Sequence, residues 1–219
     1  MAKRTYEQSL SFFQVRHTKE RGCQRELYKT PVESIEKIVT SILEKRPDLA
    51  NKLWIDPCAG DGRWEDVIKS KGIRCRSFDI EPLCESVVKC NFYEMSDFDE
   101  EVFIIGNPPF SELKKFVNKA LTIADDCYFL GGSQMITGSL SDKISLLHRF
   151  EGAEGNQKDK RSKIIFEDTN GKHVVVWCCG ALFDAKEHDK FIRYNTQNEN
   201  CFRTSVQCFC ENDERVVEL

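Results

Sequence analysis

Nowhere in the 219 residues does an apolar run approach 18 in succession, so no transmembrane helix is expected. The basic start, Met1-Ala2-Lys3-Arg4-Thr5-Tyr6-Glu7, has no apolar stretch behind it, and no secretory signal is visible. No Gly-Lys-Ser/Thr exists to hold a nucleoside triphosphate. No internal repeat or low-complexity segment is apparent. Cys-x-x-Cys is also missing, although there are 11 cysteines. Their odd number, and the position of Cys75, Cys90, Cys127, Cys178 and Cys179 in strand-like runs, fit free thiols in a reducing compartment. An intracellular setting, cytoplasmic or nuclear, is therefore expected. Cys178-Cys179 and Cys201 with Cys208-x-Cys210 have the only metal-like spacing, and no metal site is assigned to them.

Net charge is −4, which argues against a generic polyanion binder, but the charge is unevenly placed. Residues 1–30 hold seven Lys/Arg against Glu7, Glu20 and Glu26, or +4. Lys158, Lys160, Arg161 and Lys163 form a second basic cluster in a polar loop. From Asp184 onward eight acids face five bases, or −3. Either basic cluster can add phosphate contacts. The expected organisation is a basic arm over 1–30, one domain over 31–183, and a tail over 184–219 packed on the core.

Strand and helix patterns alternate, which predicts α/β architecture with a parallel sheet covered on both faces. Val32, Ile35, Ile38, Val39, Ile42 and Leu43 have helical spacing between Pro31 and Pro47. Strands are expected at 53–55, 73–80, around 90–93, at 102–105 and at 127–130, the last ended by Gly131-Gly132. Helices are expected at 63–70, 82–89, 111–124 (capped by Ser111) and 142–150. Strands at 163–166 and 173–177, joined through Asn170-Gly171, predict a hairpin closing one edge of the sheet. His148 and His173 are expected to be structural.

Two short stretches suggest chemistry. Leu53-Trp54-Ile55 runs into Asp56-Pro57-Cys58-Ala59-Gly60-Asp61-Gly62, a strand-to-helix glycine turn that brings backbone amides up to a ligand. Glu65 stands where a dinucleotide fingerprint needs its third glycine, which disfavours NAD and FAD. Asp79 ends the second strand 19 residues after Gly60, where a carboxylate can accept both hydroxyls of a ribose, with Ile80 beside the base. The second stretch, Asn107-Pro108-Pro109-Phe110, follows Val102-Phe103-Ile104-Ile105. At background frequencies such a tetrapeptide arises about once in a thousand chains of this length, so chance is a poor explanation.

Together these residues resemble the class I S-adenosylmethionine-dependent methyltransferases, in the Asn-Pro-Pro-Phe, N6-adenine-type group. The resemblance spans about Tyr28 to Phe183 and implies a Rossmann-like, doubly wound, mostly parallel seven-stranded sheet with an antiparallel edge hairpin. It assigns Asp56, Cys58, Gly60 and Gly62 to the cofactor loop and Asp79 with Ile80 to the ribose and base. Tyr28, Thr30 and Pro31 fall over the cofactor's methionine end. The acid that usually bonds the cofactor's adenine amine is absent, and Asn91-Phe92 stands in its place, with Asn91 able to accept through its oxygen. Asn107, Pro108, Pro109 and Phe110 become the catalytic corner. The Asn107 oxygen and Pro108 carbonyl would draw the protons of the target amine into hydrogen bonds, aiming its lone pair at the methyl group. Phe110 would stack the planar acceptor, worth about 1–3 kcal/mol for a base.

The resemblance implies S-adenosylmethionine as cofactor and adenine N6 in nucleic acid, RNA or DNA, as acceptor. A protein glutamine amide, a small molecule or cytosine amine, and an inactive scaffold subunit are the alternatives. Only about 36 residues follow Asp184, too few for a large target-recognition domain, so a protein partner supplying recognition is a further expectation.

Overall fold

The computed structural model describes residues 27–132, 135, 139–150, 162–168, 170–186 and 214–219. The first 26 residues of the basic arm, Lys158, Lys160 and Arg161, and tail residues 187–213 lie outside the described residues.

Eight strands form the main sheet: β1 (Leu53–Asp56), β2 (Cys75–Asp79), β3 (Val88–Lys89), β4 (Val102–Gly106), β5 (Asp126–Gly132), β6 (Ile144–Arg149), β9 (Cys178–Asp184) and β10 (Val216–Glu218). Their order is β10-β6-β9-β5-β4-β1-β2-β3. All neighbours run parallel except β9, which is antiparallel to both β5 and β6. Helices α1 (Val32–Lys45), α2 (Arg63–Ser70) and α3 (Leu113–Ala120) cover the faces. β7 (Ile164–Glu167) and β8 (His173–Val176) pair antiparallel as a separate two-stranded sheet. No helix among the described residues is long and apolar enough to cross a membrane.

The core divides by strand alternation. Trp54, Phe103, Ile105, Tyr128 and Leu130 face one cluster, where Ile35, Ile38, Val39 and Ile42 of α1 and Trp64, Val67 and Ile68 of α2 are buried. Leu53, Ile55, Val102, Ile104 and Phe129 face the other, packed by Leu113, Phe116, Val117 and Ala120 of α3. A buried polar line crosses the first cluster: Tyr128 Oη lies 2.9 Å from His148 Nδ1, and Ser41 Oγ lies 3.1 Å from His148 Nε2. A Cβ at Gly180 would overlap the Tyr128 hydroxyl, so glycine there makes room for that line.

The α/β, doubly wound, mostly parallel fold is as expected, but several elements differ. Residues 142–150 are not a helix: a 3-10 turn at Ser141–Lys143 leads into β6, an apolar run held between β9 and β10. The stretch 82–89 is not helical either. Leu83 N–H donates to Gly60 O at 2.9 Å, and Val88–Lys89 is drawn into pairing with β2. The third strand thus lies just before residues 90–93, and Phe92–Glu94 forms a 3-10 turn. Ser111 does not stand at the helix N-cap: it lies within a 3-10 turn over Phe110–Glu112, and Glu112 occupies the cap position of α3. β5 continues through Gly131-Gly132, where a Cβ on Gly131 would strike Leu113. The expected hairpin exists outside the main sheet, whose antiparallel member is instead Cys178–Asp184. The eighth strand, β10, comes from the tail and pairs with β6.

Candidate active site

The glycine turn leaves β1 with Gly60 at φ 56° and Gly62 at φ 81°, a left-handed conformation that side-chain-bearing residues rarely adopt. The turn is fastened to the end of β2. Ala59 N–H donates to Phe78 O at 3.0 Å, and Gly60 N–H donates to Asp79 Oδ2 at 2.8 Å. Asp79 Oδ1 accepts from Glu81 N–H at 2.8 Å. Asp79 therefore sets the shape of the loop, and it lines the cavity beside Gly60.

Asp56, beneath the turn, is fully buried. Its Oδ1 accepts from Cys58 N–H at 3.1 Å, and its Oδ2 is buried with no hydrogen-bond partner. Burial pushes its carboxyl up to about 8, reinforced by the nearby charges of Asp79 and Glu65. Burial likewise raises the Cys58 thiol well above its ordinary value. A Cβ at Gly106, where β4 ends, would come within 2.7 Å of Asp56 Oδ1 and 3.0 Å of Cys58 Sγ. Glycine there lets the tips of β1 and β4 meet.

Asn107 follows directly. Its Nδ2 donates to Tyr28 O at 2.9 Å, while its Oδ1 is buried and has no partner. Pro108 is buried and Pro109 half-buried. Pro109 O accepts from Glu112 N–H at 2.9 Å, which turns the chain into α3.

A cavity of ≈ 590 Å³ spans both motifs, within the ~300–1,000 Å³ usual for ligand sites. Of the residues expected in a site, it brings together Tyr28, Thr30, Cys58, Gly60, Asp79, Ile80, Asn91, Phe92, Asn107 and Pro109. Pro31, Asp56, Gly62, Pro108 and Phe110 are outside its lining. Asp56 underlies the turn, Gly62 starts α2, and Phe110 packs half-buried against the core cluster that Tyr28 also flanks. The Asn91 side chain is engaged locally, its oxygen accepting from Tyr93 N–H at 3.1 Å and its nitrogen donating to Glu94 at 2.9 Å.

Several lining residues escape sequence reasoning. Arg63 forks onto Asp61 at 2.9 and 2.7 Å and donates to Thr30 O at 3.0 Å, joining the loop to the segment before α1. Only the Asp61-x-Arg63 spacing hints at that pair. Thr30 Oγ1 and Trp64 Nε1 are buried without partners. At the other end Tyr93 Oη donates to Glu112 Oε2 at 3.1 Å, and burial together with Glu112 pushes the Tyr93 hydroxyl up to about 12. No group of three or more His, Cys, Asp or Glu among the described residues is placed to hold a metal.

The geometry thus offers loop amides and a carboxylate at one end and an apolar wall of Ile80 and Phe92 beside them. At the other end a carboxamide oxygen stands without a partner. No protein-family model and no curated protein sequence matches the chain. Solved structures do. A protein from Pyrococcus horikoshii, provisionally assigned as an RNA methyltransferase, superposes with a TM-score of 0.57 at 16% identity, over 75% of this chain and 88% of that one. The chain has the fold of that protein. A Thermoplasma acidophilum protein (TM-score 0.49, 16% identity, 76% of this chain and 93% of that one) is also similar. So is a 23S rRNA methyltransferase (TM-score 0.45, 13% identity, 74% and 71%).

Proposed function

We propose that the chain is an S-adenosylmethionine-dependent methyltransferase acting on the exocyclic N6 amine of adenine in nucleic acid, RNA or DNA. The observation that carries this reading is the buried Asn107 Oδ1, which has no partner while Nδ2 of the same group is fixed on Tyr28 O. A buried acceptor left unmade costs about 1–3 kcal/mol, so its retention beside a cavity points to a donor that arrives with a substrate.

The residues present fit the cofactor. Gly60 and its neighbours leave open backbone where its amino-acid portion would lie, Asp79 would accept its ribose hydroxyls, and Ile80 and Phe92 would flank its base. Thr30 Oγ1 and Trp64 Nε1 stand near the segment that the family lays over the methionine end. When bound, the cofactor supplies an activated methyl group on a sulfonium. The protein's own task is positioning and electrostatics. Asn107 Oδ1 and the Pro108 carbonyl would accept hydrogen bonds from the two N–H groups of the target amine. That draws its lone pair out of conjugation and toward the transferred carbon, one proton leaving to water once the methyl group has been transferred. The two prolines fix φ and keep the corner stiff. For a base within a duplex, the target must first be turned out of the stack.

The test is calorimetric binding of S-adenosylmethionine, then tritiated-methyl transfer to total RNA, genomic DNA and protein. Mass spectrometry of the released nucleosides identifies the product. The expected result is binding, with label recovered as N6-methyladenine. Label in protein glutamine alone would move the acceptor to a protein amide. Binding without transfer to any pool would leave a scaffold subunit without catalysis at this corner, and absence of binding would end the proposal.

A further inference from the structure

The Asn107 carboxamide works as an acceptor only if it is held one way round, and the structure shows what holds it. A backbone carbonyl can only accept, so Tyr28 O at 2.9 Å selects the Nδ2 end and turns Oδ1 away from it. Rotated by half a turn, the group would present its NH₂ to an incoming amine, donor against donor. The orientation of one side chain therefore depends on the location of one carbonyl.

That carbonyl belongs to the segment 27–30, which crosses the cavity wall without being part of the main sheet. Its neighbour Lys29 pairs with Glu167 at the end of β7 in both directions, N–H to O at 2.8 Å and O from N–H at 3.2 Å. The Tyr28 ring rests on Phe166, with centroids 5.9 Å apart and planes inclined at 50°. Phe166 is fully buried in the core. The hairpin is in turn tied to β9 at its base, where Cys178 N–H donates to Ser162 O at 3.2 Å. A continuous path thus runs from the sheet through the hairpin and Tyr28 O to Asn107.

We propose that the β7–β8 hairpin is a positioning element for Asn107, acting through the Tyr28 carbonyl. Its catalytic consequence rests on the function proposed above, but the positioning itself has a readout independent of turnover. The Asn107 side-chain amide protons are observable by ¹⁵N NMR, assigned by their disappearance in Asn107→Asp. Both nitrogen and oxygen of Glu167 point to Lys29 rather than to β8, so Glu167→Pro removes a donor without touching the hairpin ladder. Phe166→Ala removes the ring under Tyr28, and Phe166→Leu keeps most of its volume.

In Glu167→Pro and Phe166→Ala, exchange of the Asn107 amide protons should quicken about tenfold or more, as for a locally opened contact. Turnover at saturating cofactor and oligonucleotide should fall about tenfold while S-adenosylmethionine affinity stays within about twofold, the pattern of a lost transition-state interaction. Phe166→Leu should restore most of both, and Val175→Ala, on an exposed face of β8, should change neither. Glu167→Pro keeps the test decisive should Phe166→Ala fail to fold. Unchanged amide exchange in folded Glu167→Pro overturns the positioning role. Wild-type protein that protects this amide yet methylates nothing would instead overturn the proposed function and leave the positioning role standing.

Discussion

At the residue scale, the Asp79 carboxylate and the Asn107 carboxamide line one cavity but differ in what they already hold. Asp79 is committed on both oxygens to backbone N–H groups at 2.8 Å, so it maintains the loop before any ligand arrives. Hydrogen bonds to a charged group contribute about 1.5–3 kcal/mol each, and Asp79→Ala loses two of them together with the proposed ribose contacts. Cofactor affinity measured by calorimetry should therefore fall at least about tenfold, a 1.4 kcal/mol effect. Unchanged affinity would remove Asp79 from the site. Asn107 is the opposite case, since its oxygen holds nothing. Asn107→Ala should cost about 10²–10³ in turnover, the scale of a lost oriented dipole, with cofactor affinity little changed. Methyl transfer at the wild-type rate by that variant would remove the catalytic assignment.

At the scale of elements, what could be read beforehand was what local pattern determines. Leu53–Asp56 and Val102–Gly106 are buried apolar runs that end in turn residues, and they became β1 and β4 with their tips together. Ile144–Arg149 is almost as buried but carries Ser145, His148 and Arg149 among its apolar residues, and its pattern predicts a helix because a short buried run has no period of its own. Cys178–Asp184 is buried on both faces and shows no alternation to mark it as a strand. The site divides in the same way. Gly60, Asp79 and Asn107 announce themselves by motif, whereas Arg63 with Thr30 and Tyr93 with Glu112 are partners only once the chain is folded. One such tertiary dependence is testable across three strands. The Tyr128 hydroxyl of β5 reaches His148 of β6 over Gly180 of β9. Gly180→Ala should cost about 1–3 kcal/mol by overpacking. Tyr128→Phe should cost about 1–3 kcal/mol by leaving a buried imidazole nitrogen unpaired. Because the hydroxyl is the atom the new methyl meets first, the double variant should lose less than the sum of the two. Urea midpoints that add would show that the residues do not share this space.

For the molecule as a whole, two buried groups, Asp56 and His148, give stability a definite dependence on pH between about 3 and 8. Asp56, pushed up to about 8 by burial, binds its proton more tightly folded than unfolded. Its contribution is complete below its unfolded value of about 4 and is lost as pH rises toward the folded value, by at most ~1.4 kcal/mol per pH unit. His148, pushed down to about 3 by burial, has the reverse sign. Its contribution is complete above about 6.5 and is lost as pH falls toward the folded value. Between about pH 4 and 6.5 the two slopes oppose one another, and above that only Asp56 acts. The urea midpoint should thus hold nearly level up to about pH 6.5 and then decline to about pH 8. Asp56→Asn keeps the acceptor for Cys58 N–H and cannot ionise, so it should flatten that decline. His148→Gln removes the opposing slope, so the decline should begin near pH 4 instead. A wild-type decline that persists unchanged in Asp56→Asn would show that the carboxyl beneath the glycine turn is not the group being titrated.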